Sequence, residues 1–421
     1  MIKSYAGFMN FGLRGLISLS KFLLTLVLAS EFDLSVVGEY SVLFNAILIV
    51  TFLIGFDVYQ YTSRTIINAE SDRQESLIEH FSYVFNAYIL IAPMFFLFFI
   101  TGMIKQEFLL QLYFLLFVEL LSNEVYRLLI ALKHSVFANI LLFIRSSLWV
   151  YLFIAVVYVK GVNGSPIGNL IDLWLISALV SVAVPVMYFN MPVSIVRNWR
   201  KLKIFDFRLV FNKWRLSYKL FLSSFLLLLI NTVDKFVVEL MDNKENLGLY
   251  VLFFSLGSMI YTFVGAGVIS VRYPDLVRKY NLDKLEFMKY RKKFMNELLI
   301  VSVLMAFISI GLFFGYTSYQ SEDVEKYTFV MSNINVYLIM LLSFFVYTVH
   351  MGYHYELFAA KNDRSIFAAN GFMFLVYILL LLPLTYYYSI MGAAVAHLMS
   401  SCAVFWMKRS LVLNNVRING Y

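Results

Sequence analysis

Apolar runs about as long as a bilayer is thick recur along the whole chain, at roughly 6–29, 40–63, 81–101, 109–132, 137–159, 170–191, 216–240, 247–271, 294–316, 332–353, 366–388 and 392–411. At 1.5 Å per residue, about 20 helical residues cross a hydrocarbon core of about 30 Å. Lipid offers no partner for a backbone amide, so a spanning segment is a helix or part of a closed barrel. Barrel strands are short and alternate in polarity. The run Phe221–Ile230 does not alternate. The expected fold class is therefore an all-α integral membrane protein of about twelve transmembrane helices. Composition agrees: 61% of the 421 residues are hydrophobic and 14% charged, against about 25% charged in soluble domains. Too little polar surface is available to cover such a chain in water, so its outside is expected to face lipid. The one cysteine, Cys402, excludes an internal disulfide. The first run lacks a small-residue cleavage site and is expected to stay in the membrane.

The net charge of +8 would suggest nucleic acid in a soluble protein, but here the basic residues lie between apolar runs and report topology. With the N-terminus inside and the spans alternating, the inside segments together with the inner ends of the spans hold 26 of the 34 basic residues. The outside loops hold Lys105, Lys160, Lys244 and Lys326. Excess Lys and Arg mark the cytoplasmic side, so both termini are expected there. The connection 192–215 carries Trp199, Phe205, Phe207, Phe211 and Trp214 among basic residues. It reads either as a short helix lying in the membrane surface or as an ordinary inside loop.

That connection divides the chain into an N-terminal six-helix bundle, 1–191, and a C-terminal one, 216–421. Val37-Gly38-Glu39-Tyr40 and Leu247-Gly248-Leu249-Tyr250 open the second and eighth spans at an offset of 210 residues. Parallel repeats of this kind pack about a pseudo-two-fold axis along the membrane normal, with the substrate path between them.

Charges inside the spans each require a reason, since one costs about 2.5–3.5 kcal/mol at the bilayer centre even on insertion scales. Arg14 and Lys21 lie in the first span, seven residues apart, which returns them to nearly the same helix face. Arg145 lies at a similar depth in the fifth. Asp57, Glu119, Glu124, Asp234, Lys235 and Glu239 also lie within spans. In one reading they pair to hold helices together, Arg145 with Glu119 or Glu124 and Lys235 with Glu239. Asp234 and Lys235, adjacent on a helix, are not expected to face each other. In the other, Arg14, Lys21 and Arg145 line a wet cavity that attracts an anionic headgroup, while Asp57, Glu119, Glu124, Asp234 and Lys235 tune its field or carry coupling protons.

His350 and His354 have a metal-compatible i, i+4 spacing but no third ligand. There is no phosphate-binding glycine loop, nucleophile elbow or zinc motif. No metal, cofactor or ATP hydrolysis is expected.

With these features in view, the chain resembles the polysaccharide-exporter branch of the multidrug/oligosaccharidyl-lipid/polysaccharide (MOP) superfamily, and within it the Wzx-type O-antigen flippases. The resemblance rests on the six-plus-six plan and on Val37-Gly38-Glu39-Tyr40, Ile54-Gly55-Phe56-Asp57 and Arg64. It also rests on Asn231-Thr232-Val233-Asp234-Lys235 and on Met391-Gly392-Ala393-Ala394-Val395-Ala396-His397. His397 and the missing second small pair depart from the common pattern. The resemblance implies a non-enzymatic flippase in a bacterial inner membrane. It would carry an undecaprenyl-pyrophosphate-linked oligosaccharide to the periplasmic leaflet by alternating access, beside a polysaccharide polymerase and chain-length machinery. The rivals are a multidrug cation antiporter of the same superfamily, an O-antigen polymerase and a scaffold protein. The first would need an acidic or neutral cavity, the second a large outside loop. A scaffold would have no use for intramembrane charge.

Overall fold

The computed structural model describes residues 2–68, 73–132, 134–161, 164–189, 202–282 and 284–418. Among these residues the chain is helical, with no strand. The helices are α1 (Ile2–Glu31), α2 (Leu34–Gly55), α3 (Tyr59–Asn68), α4 (Arg73–Ile91), α5 (Leu109–Ala131), α6 (Ser135–Phe143), α7 (Trp149–Lys160) and α8 (Pro166–Phe189). There follow α9 (Phe207–Ile230), α10 (Val233–Met241), α11 (Lys244–Val264), α12 (Ser270–Leu282), α13 (Lys284–Tyr319), α14 (Val324–Ser332), α15 (Ile334–Ala359) and α16 (Asp363–Ile418). A π-helical turn, Ile144–Leu148, joins α6 to α7, and another, Gly265–Ile269, joins α11 to α12. Counting joined helices together, ten segments among the described residues are long and apolar enough to cross a membrane.

Three expected boundaries change. The seventh run, 216–240, is split at Asn231–Thr232 into α9 and α10. Both residues bond back to the preceding turn: Asn231 Nδ2 donates to the Leu227 carbonyl and Thr232 Oγ1 to that of Leu228, each at 2.9 Å. Those side chains occupy carbonyls at the end of α9, and Thr232 leaves helical geometry at φ −130°. Of the central connection, residues 192–201 lie outside the described residues. From Phe207 onward it is the first part of α9 rather than a separate surface helix. The basic stretch 272–293 is largely helical, as α12 and the start of α13.

The eleventh and twelfth runs form the single element α16, but Ser389, at φ 55°, is not helical. A Cβ on Gly392 would collide with the Leu384 carbonyl. Eight residues of straight helix would separate these groups by about 12 Å, so the chain folds back at Ser389. The turn is held by Ser389 Oγ, which donates to Asp242 Oδ2 at the end of α10.

The chain forms two compact units, one of Met1–Leu24 with Val42–Phe225 and one of Thr25–Ser41 with Leu226–Tyr421. In the first, α1 runs parallel to the α6–α7 rod. Arg14 Nε donates to Asn139 Oδ1 (3.4 Å) and Ser20 Oγ to Ser147 Oγ (3.0 Å), at nearly constant offsets of 125 and 127 residues. The start of α9 is anchored to α4. Trp214 Nε1 donates to Tyr83 Oη at 3.2 Å, Lys213 pairs with Glu79 at 3.0 Å, and Phe56 stacks on both Trp214 and Phe221.

In the second unit, α2 crosses α11 through the two glycines of the sequence echo. A Cβ on Gly38 would lie 2.5 Å from the Lys244 carbonyl oxygen, and one on Gly248 would collide with the Leu34 carbonyl. Lys244 is four residues before Gly248, and Leu34 is four before Gly38. This reciprocal relation is that of a local two-fold axis. Only hydrogen fits at either Cα, and backbone contact this close is characteristic of small residues at helix crossings in lipid.

Candidate functional site

The three cations singled out in the sequence all lie in the first unit, on α1 and on the rod it packs against. Arg14 is exposed, and among the described residues its partner is the amide of Asn139, with no carboxylate in contact. Lys21 exposes its side chain. Its ammonium lies 5.0 Å from the centre of the Phe44 ring, within cation–π range. The charged neighbours it feels are Arg145 and Glu119.

Arg145 sits in the π-helical turn, a distortion frequent at functional sites. Its Nε lies 3.6 Å from Glu119 Oε2, too far for a good hydrogen bond. The two side chains are 13% and 12% exposed. Glu119 is fixed from behind by Trp174, whose Nε1 donates to Oε1. Trp174 is stacked on Trp149 at 5.3 Å and on Phe44 at 5.9 Å. The result is a stretch of the first unit that carries three positive groups and, beside Arg145, the Glu119 carboxylate, backed by rigid aromatic rings. It can attract and orient an anion. Lys and Arg provide fixed positive charge and several donors, and charge-assisted bonds to phosphate are the strong kind.

Glu124 and Asp57 are placed elsewhere in the same unit. Glu124 is 1% exposed; it accepts from Arg127 Nη1 at 2.7 Å and bonds His80 Nε2 at 2.9 Å. His80 Nδ1 reaches Thr62 Oγ1 at 3.0 Å. This network ties α3, α4 and α5 together and matches the helix-holding reading. Asp57 lies in the break between α2 and α3, at φ 53°, with Oδ2 buried and without a hydrogen-bond partner among the described residues. Replacing Glu124 by alanine leaves Arg127 and His80 facing an empty position. Breaking a buried pair from one side costs about 3–5 kcal/mol. Glu124→Ala is therefore expected to lower the apparent melting temperature of the purified protein, and Glu124→Gln to lower it less.

Asp234 and Lys235 lie in the second unit. Contrary to the sequence expectation, they do face each other, with Lys235 Nζ 2.9 Å from Asp234 Oδ1. The facing rule assumes an uninterrupted helix, but this pair opens α10 just after a break. There the Asp234 carboxylate turns back to accept the Lys235 backbone N–H at 3.0 Å, and the lysine chain folds onto it. Glu239 is not paired with Lys235; its Oε2 is buried without a hydrogen-bond partner among the described residues. His350 and His354 do not converge on a metal. His350 Nδ1 contacts the Tyr347 carbonyl, while His354 Nδ1 lies 3.2 Å from Lys408 Nζ. Among the described residues no group of His, Cys, Asp and Glu has metal-site geometry. Sequence reasoning missed Trp174, His80 and Asn139, whose roles depend on contacts across 55, 44 and 125 residues.

No protein-family model matches the sequence, and no curated protein matches it. Solved structures do match in fold. Over 98% of this chain and 87% of the other, the TM-score to the lipid II flippase MurJ in an inward closed conformation is 0.69, at 16% identity. An inward-facing multidrug resistance MATE family transporter of the MOP superfamily matches with a TM-score of 0.60 at 12% identity, over 96% of this chain and 94% of that one. The chain shares the fold of these two proteins. A MATE protein in the bent conformation matches less closely, with a TM-score of 0.54 at 11% identity, over 98% and 94% of the two chains. The shared fold spans nearly the whole chain, and the three cations lie in its N-terminal part. At these identities the likeness concerns the fold, and the substrate has to be argued from the cations themselves.

Proposed function

We propose that the protein is a flippase that moves an undecaprenyl-pyrophosphate-linked oligosaccharide, such as an O-antigen repeat unit, from the cytoplasmic to the periplasmic leaflet of a bacterial inner membrane. The carrying observation is the cluster of positive groups on and beside α1: Arg14, Lys21 and Arg145, with the Glu119 carboxylate beside Arg145. An isolated charge moved into hydrocarbon costs tens of kcal/mol, so a pyrophosphate crosses only where fixed cations replace its water. The lipid tail needs no such help. The fold likeness to a lipid II flippase supports this reading. In it the chain makes twelve crossings with both termini in the cytoplasm, and works by alternating access of its N-terminal and C-terminal bundles.

The MATE-type fold favours a second reading, export of organic cations. The two readings differ in the sign of the cargo, and the three cations repel a cationic drug. Deleting the gene separates them. The flippase reading expects loss of surface polysaccharide while lipid-linked units accumulate on the cytoplasmic side, with unchanged drug resistance. Drug sensitivity with normal polysaccharide would replace it by the antiporter. Export of units that remain unpolymerised would indicate a polymerase.

A further inference from the structure

The ammonium of Lys235 sits in a complete set of cation ligands. Nζ is 2.7 Å from the Asn231 carbonyl oxygen, 2.9 Å from Asp234 Oδ1 and 3.0 Å from Asp234 Oδ2. The Phe254 ring closes the remaining side, its centre 3.2 Å from Nζ. An ammonium has three protons, and three oxygens receive them. The Asn231 carbonyl is available because α9 ends there and the backbone leaves helical geometry before α10 begins. Unwound carbonyls beside a carboxylate at a helix break are the oxygen ligands that monovalent cations take inside membranes. Tyr250 Oη donates to Asp234 Oδ2 at 2.7 Å and holds the carboxylate in place. The lysine side chain is 4% exposed and the aspartate 0%, so the pair is dry. Two further buried polar atoms lie close by. One is His397 Nε2, whose ring lies 5.9 Å from those of both Tyr377 and Phe254; the other, Tyr377 Oη, lies against Asp234 and Tyr250 and belongs to the same polar group.

We infer that Lys235 is a tethered cation filling a monovalent-cation cage. The wild-type C-terminal unit then takes up no free sodium or potassium at this position, and removing the ammonium opens a site for one. The alternative is an ordinary buried ion pair, in which the oxygens around Nζ have no capacity for a free ion. The two differ in their response to truncation of the lysine. An ordinary pair leaves a lone carboxylate that no salt rescues. A cage leaves three oxygens, an aromatic face and the space vacated by Nζ.

The test is apparent thermal stability of the purified full chain in detergent, in sodium, potassium or choline chloride at equal ionic strength. Wild type is expected to melt at the same temperature in all three salts. Lys235→Ala is expected to lose more than about 5 °C in choline, since breaking a buried pair is costly, and to regain at least half of the loss, saturably, in sodium or potassium. A saturable sodium or potassium shift in wild type overturns the inference. So does a Lys235→Ala protein equally destabilised in every salt, or one that cannot be recovered in any of them, because an ion-filled cage would hold it together. Lys235→Met combined with Asp234→Asn removes both charges and is expected to be indifferent to salt. A cation response in that variant would place the ion elsewhere and overturn the inference as well.

Discussion

Reversing Arg14 and Lys21 together, as Arg14→Glu/Lys21→Glu, is expected to lower the export of lipid-linked glycan at least about 100-fold while the protein still inserts and folds. Each lost charge-assisted hydrogen bond costs about 1.5–3 kcal/mol, and about 1.4 kcal/mol is a factor of ten. Two such losses give about 10²–10⁴, to which the repulsion of the new carboxylates adds. Both side chains are exposed, so folding is spared. Neutral Arg14→Ala/Lys21→Ala sits between wild type and the reversal. Export is read from surface polysaccharide and from lipid-linked units retained inside, with protein abundance in the membrane as the control. Undiminished export from the reversed protein would remove α1 from the substrate path. Glu119→Gln sharpens the assignment. Glu119 is the carboxylate beside Arg145, so its neutralisation is expected to leave binding of an anionic headgroup intact or tighter, opposite in sign to the effect at Lys21.

The second large effect concerns the crossing of α2 and α11. Gly248→Val places a Cβ on the Leu34 carbonyl and two methyl groups beyond it. Neither neighbour is a flexible side-chain tip that could swing away; both are main chain within helices. The helices must separate, and the contacts around Leu247, Tyr250 and Val37, which are buried, separate with them. Overpacking of a tight core costs about 1–3 kcal/mol where side chains can yield, and more against backbone. Gly248→Val is expected to yield little or no folded protein. Gly38→Ala, whose Cβ would lie 2.5 Å from the Lys244 oxygen, is expected to give a milder loss. Gly311 meets nothing within 4 Å, so Gly311→Ala is expected to be neutral or slightly stabilising, as Ala is the better helix former. Size-exclusion profiles and apparent melting temperatures check the order Gly311, Gly38, Gly248. A Gly248→Val protein as stable as wild type would contradict the close crossing.

Much of this arrangement is legible in the residues, because lipid leaves a chain few options. Run length set the helices, and the chain reversal at Ser389 falls in the short gap between the runs ending at 388 and beginning at 392. The sequence offered Glu119 or Glu124 as the neighbour of Arg145, and the structure places Glu119 beside it. The echo of Gly38 in Gly248 pointed to a relation between two segments, though not to the fact that the glycines touch. What escaped depends on local backbone events or on distant contacts. Hydropathy cannot register that Asn231 and Thr232 bond back to the carbonyls of α9. That break also invalidates the facing rule at Asp234 and Lys235. Trp174 looked like any aromatic residue in an apolar run, because its role depends on Glu119 lying opposite its indole N–H.

The central claim is that Arg14, Lys21 and Arg145 recognise a diphosphate headgroup. Binding of undecaprenyl pyrophosphate to the purified protein, with undecaprenol as the uncharged control, tests it most directly. The expected result is tighter binding of the pyrophosphate by wild type, weakened by rising salt and reduced toward the undecaprenol level in the Arg14→Ala/Lys21→Ala/Arg145→Ala protein. Equal affinity for both lipids in wild type, or a pyrophosphate affinity unchanged by the triple substitution, would contradict it.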